Sequence, residues 1–434
     1  MSMYRGCVML RRRAREARAV AALGLVCGLA VLAGSAGCGA DARVTAATLV
    51  GRPAVSHVVK RATSVGIAQV APAGAQPTKA DARPVGVSGV RDVRMGGGAR
   101  LYAVSPRWRA LLETGRELGG ERIVLASSDG RRARVVLDGA IGRRKREAIT
   151  GVRLSDSRLV WEEASQYDLE LGGAAKWRLF TAPIVGKGPT LGAARVIDSG
   201  VVAQRPRCDF AVSGSQLAIA STRLSGSAPS IPRASLTIVD LVRGTRRKVL
   251  DTPGSADAVS WDGDRIVVTV TDSSRARRAT AIVLDSGGRP VGRARLARGL
   301  AFAGPATARG DLVAASVTPR GSNDGELFVF SSSGFSLWKG GAVACGPQWL
   351  GERLVFLRPV PANKGGASQM VLFDPISGAE RTLEAAGVAN SAARVPVLVP
   401  GSAADNERLV YGLEPFERSV SGDEVTVIRS CVLL

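Results

Sequence analysis

A polar tight turn that runs straight into a pair of aliphatic residues returns again and again along this chain of 434 residues. The sharpest copies are Trp261–Val267 (Trp-Asp-Gly-Asp-Arg-Ile-Val) and Trp349–Val355 (Trp-Leu-Gly-Glu-Arg-Leu-Val). Looser ones are Leu154–Val160, Val212–Ala218, Arg309–Val313, Asp405–Val410 and Gly119–Val124. With the first aliphatic residue after each turn as an anchor, the set is Ile123, Leu159, Leu217, Ile266, Leu312, Leu354 and Leu409. The anchors lie about 36 to about 58 residues apart, mostly in the forties. That is the period of a four-stranded repeating unit and too short for an independent domain.

A second signal follows most anchors: an apolar strand, an acidic or polar step, a glycine turn and another short strand. Leu236–Asp240 leads to Gly244 and Lys248, and Ala281–Asp285 leads to Gly287-Gly288 and Arg295. Met370–Asp374 leads to Gly378 and Arg381, and Leu327–Phe330 leads to Gly334 and Ser336–Trp338. β-Branched and aromatic residues suit a pleated, half-buried surface. The Asp-Gly, Ser-Gly and Gly-Gly pairs supply the positive φ that tight hairpins need. No stretch of the body carries a long apolar 3.6-residue period bounded by caps, so few helices are expected. One such unit cannot cover both faces of its own sheet; packing units around an axis covers them. The expected fold is all-β, a single β-propeller of seven four-stranded blades over residues 100–434, with six as the alternative count. Aromatic residues make up only 4% of the chain, so Val, Leu, Ile and Ala must do most of the packing.

The turn before Ile/Leu-Val, paired with an apolar run, Asp, Gly, Arg and Leu at fixed steps, resembles the TolB-like (WD40-like) propeller repeats of bacterial envelope proteins. That family's turn reads Trp/Phe-Ser-Pro-Asp-Gly. Trp261, Trp349 and Asp262-Gly263 match it, and the Ser-Pro is missing from these copies. The resemblance covers about residues 100–434 and implies an envelope location. The Trp-Asp and Gly-His signatures of eukaryotic WD40 repeats are absent, so their partners are not implied.

Residues 1–38 read as an export signal: Arg11-Arg12-Arg13 and Arg15 form a basic start, and Ala19–Leu32 an apolar core too short for an ordinary spanning helix. Gly34-Ser-Ala-Gly-Cys38 resembles the lipobox of bacterial lipoproteins, which makes Cys38 the candidate lipidation site; the departure is Ser35, where that motif usually has Leu. The alternatives are a soluble product cut near Ala40–Ala42 and an uncleaved N-terminal anchor. Residues 39–99 form an Ala/Pro/Gly-rich tether, with linker-like Pro72–Pro77 and Met95–Gly98. Within it, Val44–Val50 or Val55–Val59 could supply a strand that closes the last blade. Insertions at Glu162–Lys176, Thr222–Ala234 and Arg358–Ser368 all follow the anchor strand, so they should emerge on one face, where binding is expected.

The net charge is +22 and the pI about 11.0. Residues 1–37 hold six Arg against Glu16, so about +17 belongs to the rest. The dense patches are Arg131–Arg134, Arg143–Arg146, Arg246–Lys248 and Arg275–Arg278. They read either as a solvated basic surface or as attraction to anionic polymer or lipid head groups. Nucleic acid is not expected, because no aromatic residues interleave with the patches. Cys208 and Cys345 each stand nine residues before an anchor, at the start of innermost strands three blades apart, too far for a disulfide. The pairing of Cys431 is left open.

The one histidine, His57, lies in the tether, so no Ser-His-Asp constellation can form in the propeller. Asp262–Asp264 and Asn323–Glu326 carry calcium-loop residue types and read better as hairpin turns. No catalytic, cofactor-binding or metal-binding residue can be assigned. The expected function is a non-catalytic, exported module that binds a protein or an anionic envelope polymer, held at a membrane through Cys38. The alternative is a propeller-class lyase or glycosidase that uses Asp, Glu, Tyr or Arg without His. An enzyme should gather acids with Tyr or Arg at the channel mouth. A binding module should show an apolar or basic patch instead.

Overall fold

The computed structural model describes Val87 to Leu433, apart from connecting segments that include 115–119, 140–146, 166–175, 202–207, 225–230, 360–367, 384–393, 402–407 and 416–425. Thirty strands are present and no helix among the described residues. Blade 1 holds β2 (Ala99–Val104), β3 (Trp108–Thr114), β4 (Gly120–Ser127) and β5 (Ala133–Asp138). Blade 2 holds β6 (Glu147–Leu154), β7 (Arg158–Ser165), β8 (Lys176–Val185) and β10 (Arg195–Val201), with the two-residue β9 (Thr190–Leu191) beside β8. Blade 3 is β11 (Asp209–Ser213), β12 (Gln216–Arg223), β13 (Arg233–Asp240) and β14 (Arg246–Pro253). Blade 4 is β15 (Ser255–Asp262), β16 (Arg265–Thr271), β17 (Ala279–Asp285) and β18 (Pro290–Arg295).

In blade 5 the inner strand is split into β19 (Leu300–Phe302) and β20 (Thr307–Arg309), followed by β21 (Leu312–Pro319), β22 (Gly325–Ser331) and β23 (Ser336–Val343). Blade 6 is β24 (Cys345–Leu350), β25 (Arg353–Pro359), β26 (Ser368–Phe373) and β27 (Glu380–Thr382). Blade 7 takes β28 (Arg394–Val397), β29 (Arg408–Pro415) and β30 (Thr426–Leu433) from the C-terminal end, and its outermost strand is β1 (Val87–Met95). These are seven antiparallel blades of a β-propeller.

The repeating turn joins the first and second strands of a blade. Asp262 pairs with Arg265 across a two-residue loop, and Gly263 there has φ 54°, which a residue with a Cβ adopts at a cost. The acidic step of the second signal shapes the third-to-fourth turn. Asp240 Oδ1 accepts from the backbone N–H of Val242 and Arg243, and Asp374 Oδ1 does the same for Ile376 and Ser377. The bonds from Arg243 and Val242 hold the Asp240 carboxyl below its ordinary pKa. The sequence pattern is thus a list of turn requirements.

Seven apolar clusters fill the seven interfaces between blades. Leu159, Trp161 and Phe180 pack on Ala110, Leu112 and Ile123 between blades 1 and 2. Between blades 4 and 5 alanines dominate: Ala279, Ala281, Ala294, Ala306, Ala308 and Ala315. The scarce aromatics Trp161, Trp177, Trp349, Phe330, Phe356 and Phe373 are among the largest fully buried side chains. The seventh cluster closes the ring, with Leu101, Leu111 and Val124 of blade 1 against Val399 and Val410 of blade 7. Here the backbones nearly touch: a Cβ on Gly401 (φ 83°) would stand 1.9 Å from the Val104 carbonyl oxygen.

Two anchors move. Ile123 lies on the third strand of blade 1, not the second; the true first turn is Ser105-Pro106-Arg107, closed by Ser105 N–H donating to Trp108 O. In blade 5 the equivalent of the other anchors is Val313, one residue after Leu312, because Val313 faces blade 4 while Leu312 faces blade 6. The aligned positions are Arg109, Leu159, Leu217, Ile266, Val313, Leu354 and Leu409, spaced 41 to 58 residues. The insertions are also shorter than expected. Glu162 and Glu163 belong to β7, Thr222 to β12 and Arg358 to β25. The second strands of the blades all end on the face opposite the tight first-to-second turns. Val44–Val50 and Val55–Val59 lie outside the described residues; the strand beside β30 is Val87–Met95.

Candidate functional site

Side chains on the inner strands, at the edge of the channel, mostly tie one blade to the next. Arg153 of β6 pairs with Asp209 of β11 at 3.4 Å, and the other Asp209 oxygen accepts from the Val259 N–H of β15 at 2.9 Å. Ser260 Oγ donates to Ala306 O, Thr307 Oγ1 donates to Asp262 Oδ2 at 3.3 Å, and Gln348 Nε2 donates to Val399 O at 2.8 Å. On the tight-turn face Trp108 Nε1 donates to Asp156 O at 3.0 Å. Each donor or acceptor reaches across an interface, so this polar set holds the ring together.

Among the described residues the acids do not converge. Glu162 and Glu163 sit side by side on β7, each 1% exposed, and alternation sends them to opposite faces. Glu162 Oε2 accepts from Thr150 Oγ1 at 2.9 Å, and Glu163 Oε1 from Trp161 Nε1 at 3.0 Å. Tyr102 and Tyr411 pack into different apolar clusters. Asp257 stands in the bulge of β15, accepting from Thr271 Oγ1 at 2.6 Å, with Arg320 acting on it from blade 5. The surrounding walls push its carboxyl up to about 6 although water reaches it. Burial likewise pushes Asp262 up to about 6, against the pull of Thr307 and Arg309.

These shifts set a pH dependence. An unfolded Asp releases its proton near 3.8, whereas folded Asp262 holds it to about 6. The stability that these two carboxyls contribute therefore falls as pH rises from about 4 to about 6 and is flat above that window. Water discounts the share of Asp257, so Asp262 dominates. Asp262→Asn should flatten the fall by up to about 3 kcal/mol, read from urea midpoints at pH 4 and pH 7.

The charged surface lies on the outer wall. β14 carries exposed Arg246, Arg247 and Lys248, and β18 carries Arg293 and Arg295. Arg243 and Arg289 stand in the turns before these strands. The three acids of the same segments are engaged: Asp240 caps its turn, Asp285 accepts from Arg289 N–H, and Asp251 pairs with Arg233 and Lys248. Among the described residues no carboxylate forms an ion pair with Arg246, Arg289 or Arg293. Arg131, Arg132 and Arg134 form a second exposed cluster on the outer hairpin of blade 1. Arg143–Arg146, Arg275–Arg277, Asn323-Asp324, Cys38 and His57 lie outside the described residues. Asp262–Asp264 forms the hairpin turn described above.

Cys208 directly precedes β11 and Cys345 opens β24, so both stand at the start of innermost strands. Cys208 and Cys431 are buried thiols. Sequence reasoning passed over Arg109, at the seam between blades 7 and 1. The signal for it was Ser105-Pro106, the one Ser-Pro turn in the repeat series.

No family model matches this chain. No curated protein matches it either. Solved propellers resemble it in fold. Acylaminoacyl peptidase from Pyrococcus horikoshii superposes with a TM-score of 0.42 at 14% identity, over 62% of this chain and 43% of that one. The β-propeller domain of the trilobed protease from Pyrococcus furiosus gives 0.43 at 11%, over 63% and 80%. An oligogalacturonate lyase in complex with manganese gives 0.42 at 12%, over 82% and 98%. This chain thus spans less than half the length of the acylaminoacyl peptidase.

Proposed function

We propose that this propeller is a non-catalytic binding module of the cell envelope whose outer wall docks an anionic polymer. The observation that carries the reading is the cationic wall of blades 3 and 4, where Arg246, Arg289 and Arg293 stand without carboxylate partners among the described residues. Charge on an outer strand also blocks edge-to-edge pairing, but either sign serves that purpose. The bias to one sign is what favours an anionic partner. The repeat's likeness to TolB-like propellers and the lipobox-like residues before Cys38 support an envelope address, with the lipid on Cys38 as the tether.

Binding to polygalacturonate, measured by co-sedimentation, should exceed binding to neutral dextran and weaken steeply between low and physiological salt. The triple variant R246Q/R289Q/R293Q should lose most of it, about tenfold or more in affinity. Equal binding to both polymers, or a triple variant that binds like the parent, overturns the reading. Cys38→Ser should abolish incorporation of radiolabelled palmitate.

A further inference from the structure

Six of the seven aligned anchor positions hold an aliphatic residue that faces the preceding blade: Leu159, Leu217, Ile266, Val313, Leu354 and Leu409, each at 0% exposure. The seventh is Arg109, 3% exposed, on the seam where the ring closes. A buried guanidinium in an apolar slot costs several kcal/mol unless something compensates it. The partners it has are weak for that purpose. Its Nη1 donates to the backbone oxygens of Ser105 and Trp108. Burial pushes the Arg109 pKa down to about 10, Arg408 adds to the fall, and Asp156 opposes it. Asp156 stands on the blade 2 turn, and its Oδ1 already accepts from Arg107 N–H at 2.9 Å.

Arg109 lines a small pocket between blades 7 and 1, with Arg91, Val93, Ala126, Ser127, Ser128 and Ser430. Arg91 and Ser430 are cross-strand partners on β1 and β30, and Ala126 is the cross-strand partner of Arg109. Two cations therefore face one recess from opposite sides of the seam. Among the described residues no carboxylate lines it. The nearest acid of this turn, Asp129, accepts from Ser127 Oγ. Ser430 is 8% exposed and offers a hydroxyl. The space admits little more than one water-sized sphere.

We propose that this recess binds a monatomic, halide-sized anion, which bridges Arg91 of the closing strand and Arg109 of blade 1 and so clasps the ring. The two guanidiniums then share one counter-charge, which also offsets the repulsion of Arg109 by Arg408. The anion favours the closed ring over any opened form, because opening separates its two ligands. Binding to the folded state alone raises stability with anion concentration.

The test compares melting of the full chain in sodium chloride and in sodium gluconate at equal ionic strength, together with diffraction from crystals grown in sodium bromide. Chloride should raise the Tm by about 2 °C or more over gluconate, and an anomalous bromide peak should stand between Arg91 and Arg109. Arg109→Leu restores the aliphatic residue of the other six blades. It should fold, melt at the same temperature in both salts and lose the bromide peak. Arg91→Gln, at an exposed position, should lose most of the chloride response if Arg109→Leu proves insoluble. Equal melting of the parent in both salts, a full chloride response in either variant, or no bromide at the seam overturns the proposal.

Discussion

Deleting residues 1–96 should cost the ring its cooperative closure, with a loss on the order of 5 kcal/mol or more. The deletion removes β1, which runs antiparallel to β30 from Val87↔Leu433 to Met95↔Thr426. It also removes Val93, which packs under the Gly130 turn so closely that a Cβ on Gly130 would meet it at 2.3 Å. The backbone of β30 becomes an open edge, and the apolar interface between blades 7 and 1 loses one of its walls. Differential scanning calorimetry should show a melting transition lowered by about 10 °C or more, or split in two. A synthetic peptide covering Val87–Met95, added in trans, should recover part of the loss by strand addition. A shortened chain that melts like the full one would show that β1 is dispensable.

Trp161→Ala should be the most damaging single substitution, at about 4 kcal/mol or more. The indole is 0% exposed and stacks on Phe180 with ring centroids 5.4 Å apart. Its N–H is also a donor to Glu163, whose side chain has no exposure and whose other oxygen lies 3.9 Å from Arg178. Truncation opens a cavity and strips a hydrogen bond from a buried carboxylate at once. Trp161→Phe keeps a ring on Phe180 and removes the donor, so it should cost about 1–3 kcal/mol. Urea denaturation of both variants separates the two contributions. Equal losses would mean that the cavity contributes nothing.

The repeating hairpins were readable because their geometry is local. A two-residue turn such as Gly263-Asp264 needs glycine at one position, and the run after it needs alternation. Both demands are met within seven residues. The closing strand had no such mark. Val87–Met95 finds its partner more than three hundred residues away, and Val44–Val50 and Val55–Val59 have the richer β-branched runs. Blade 1 was misaligned for a different reason. Gly119–Val124 copies the turn pattern at a second-to-third connection, while the true anchor is an arginine. The one-residue error at Leu312 has a third cause: side-chain direction is settled by which neighbouring cluster receives Val313. The acids illustrate what spacing does show. Glu162 and Glu163 do point to opposite faces, but their partners Thr150 and Trp161 are products of register. Asp257 and the recess at Arg109 exist only once separate blades are brought together.

The pairing of β1 with β30 also has a kinetic side. Among the described strands, the earliest in the chain hydrogen-bonds to the latest, so blade 7 has no complete sheet until both are in place. Joining ends so far apart carries a large loop-closure entropy and places ring closure late in folding. Six blades can assemble while β1 waits unpaired, and the ring stays open at the seam between blades 7 and 1 in that waiting form. A protein wired in this way keeps its ring open until one strand pairing, between β1 and β30, locks it shut.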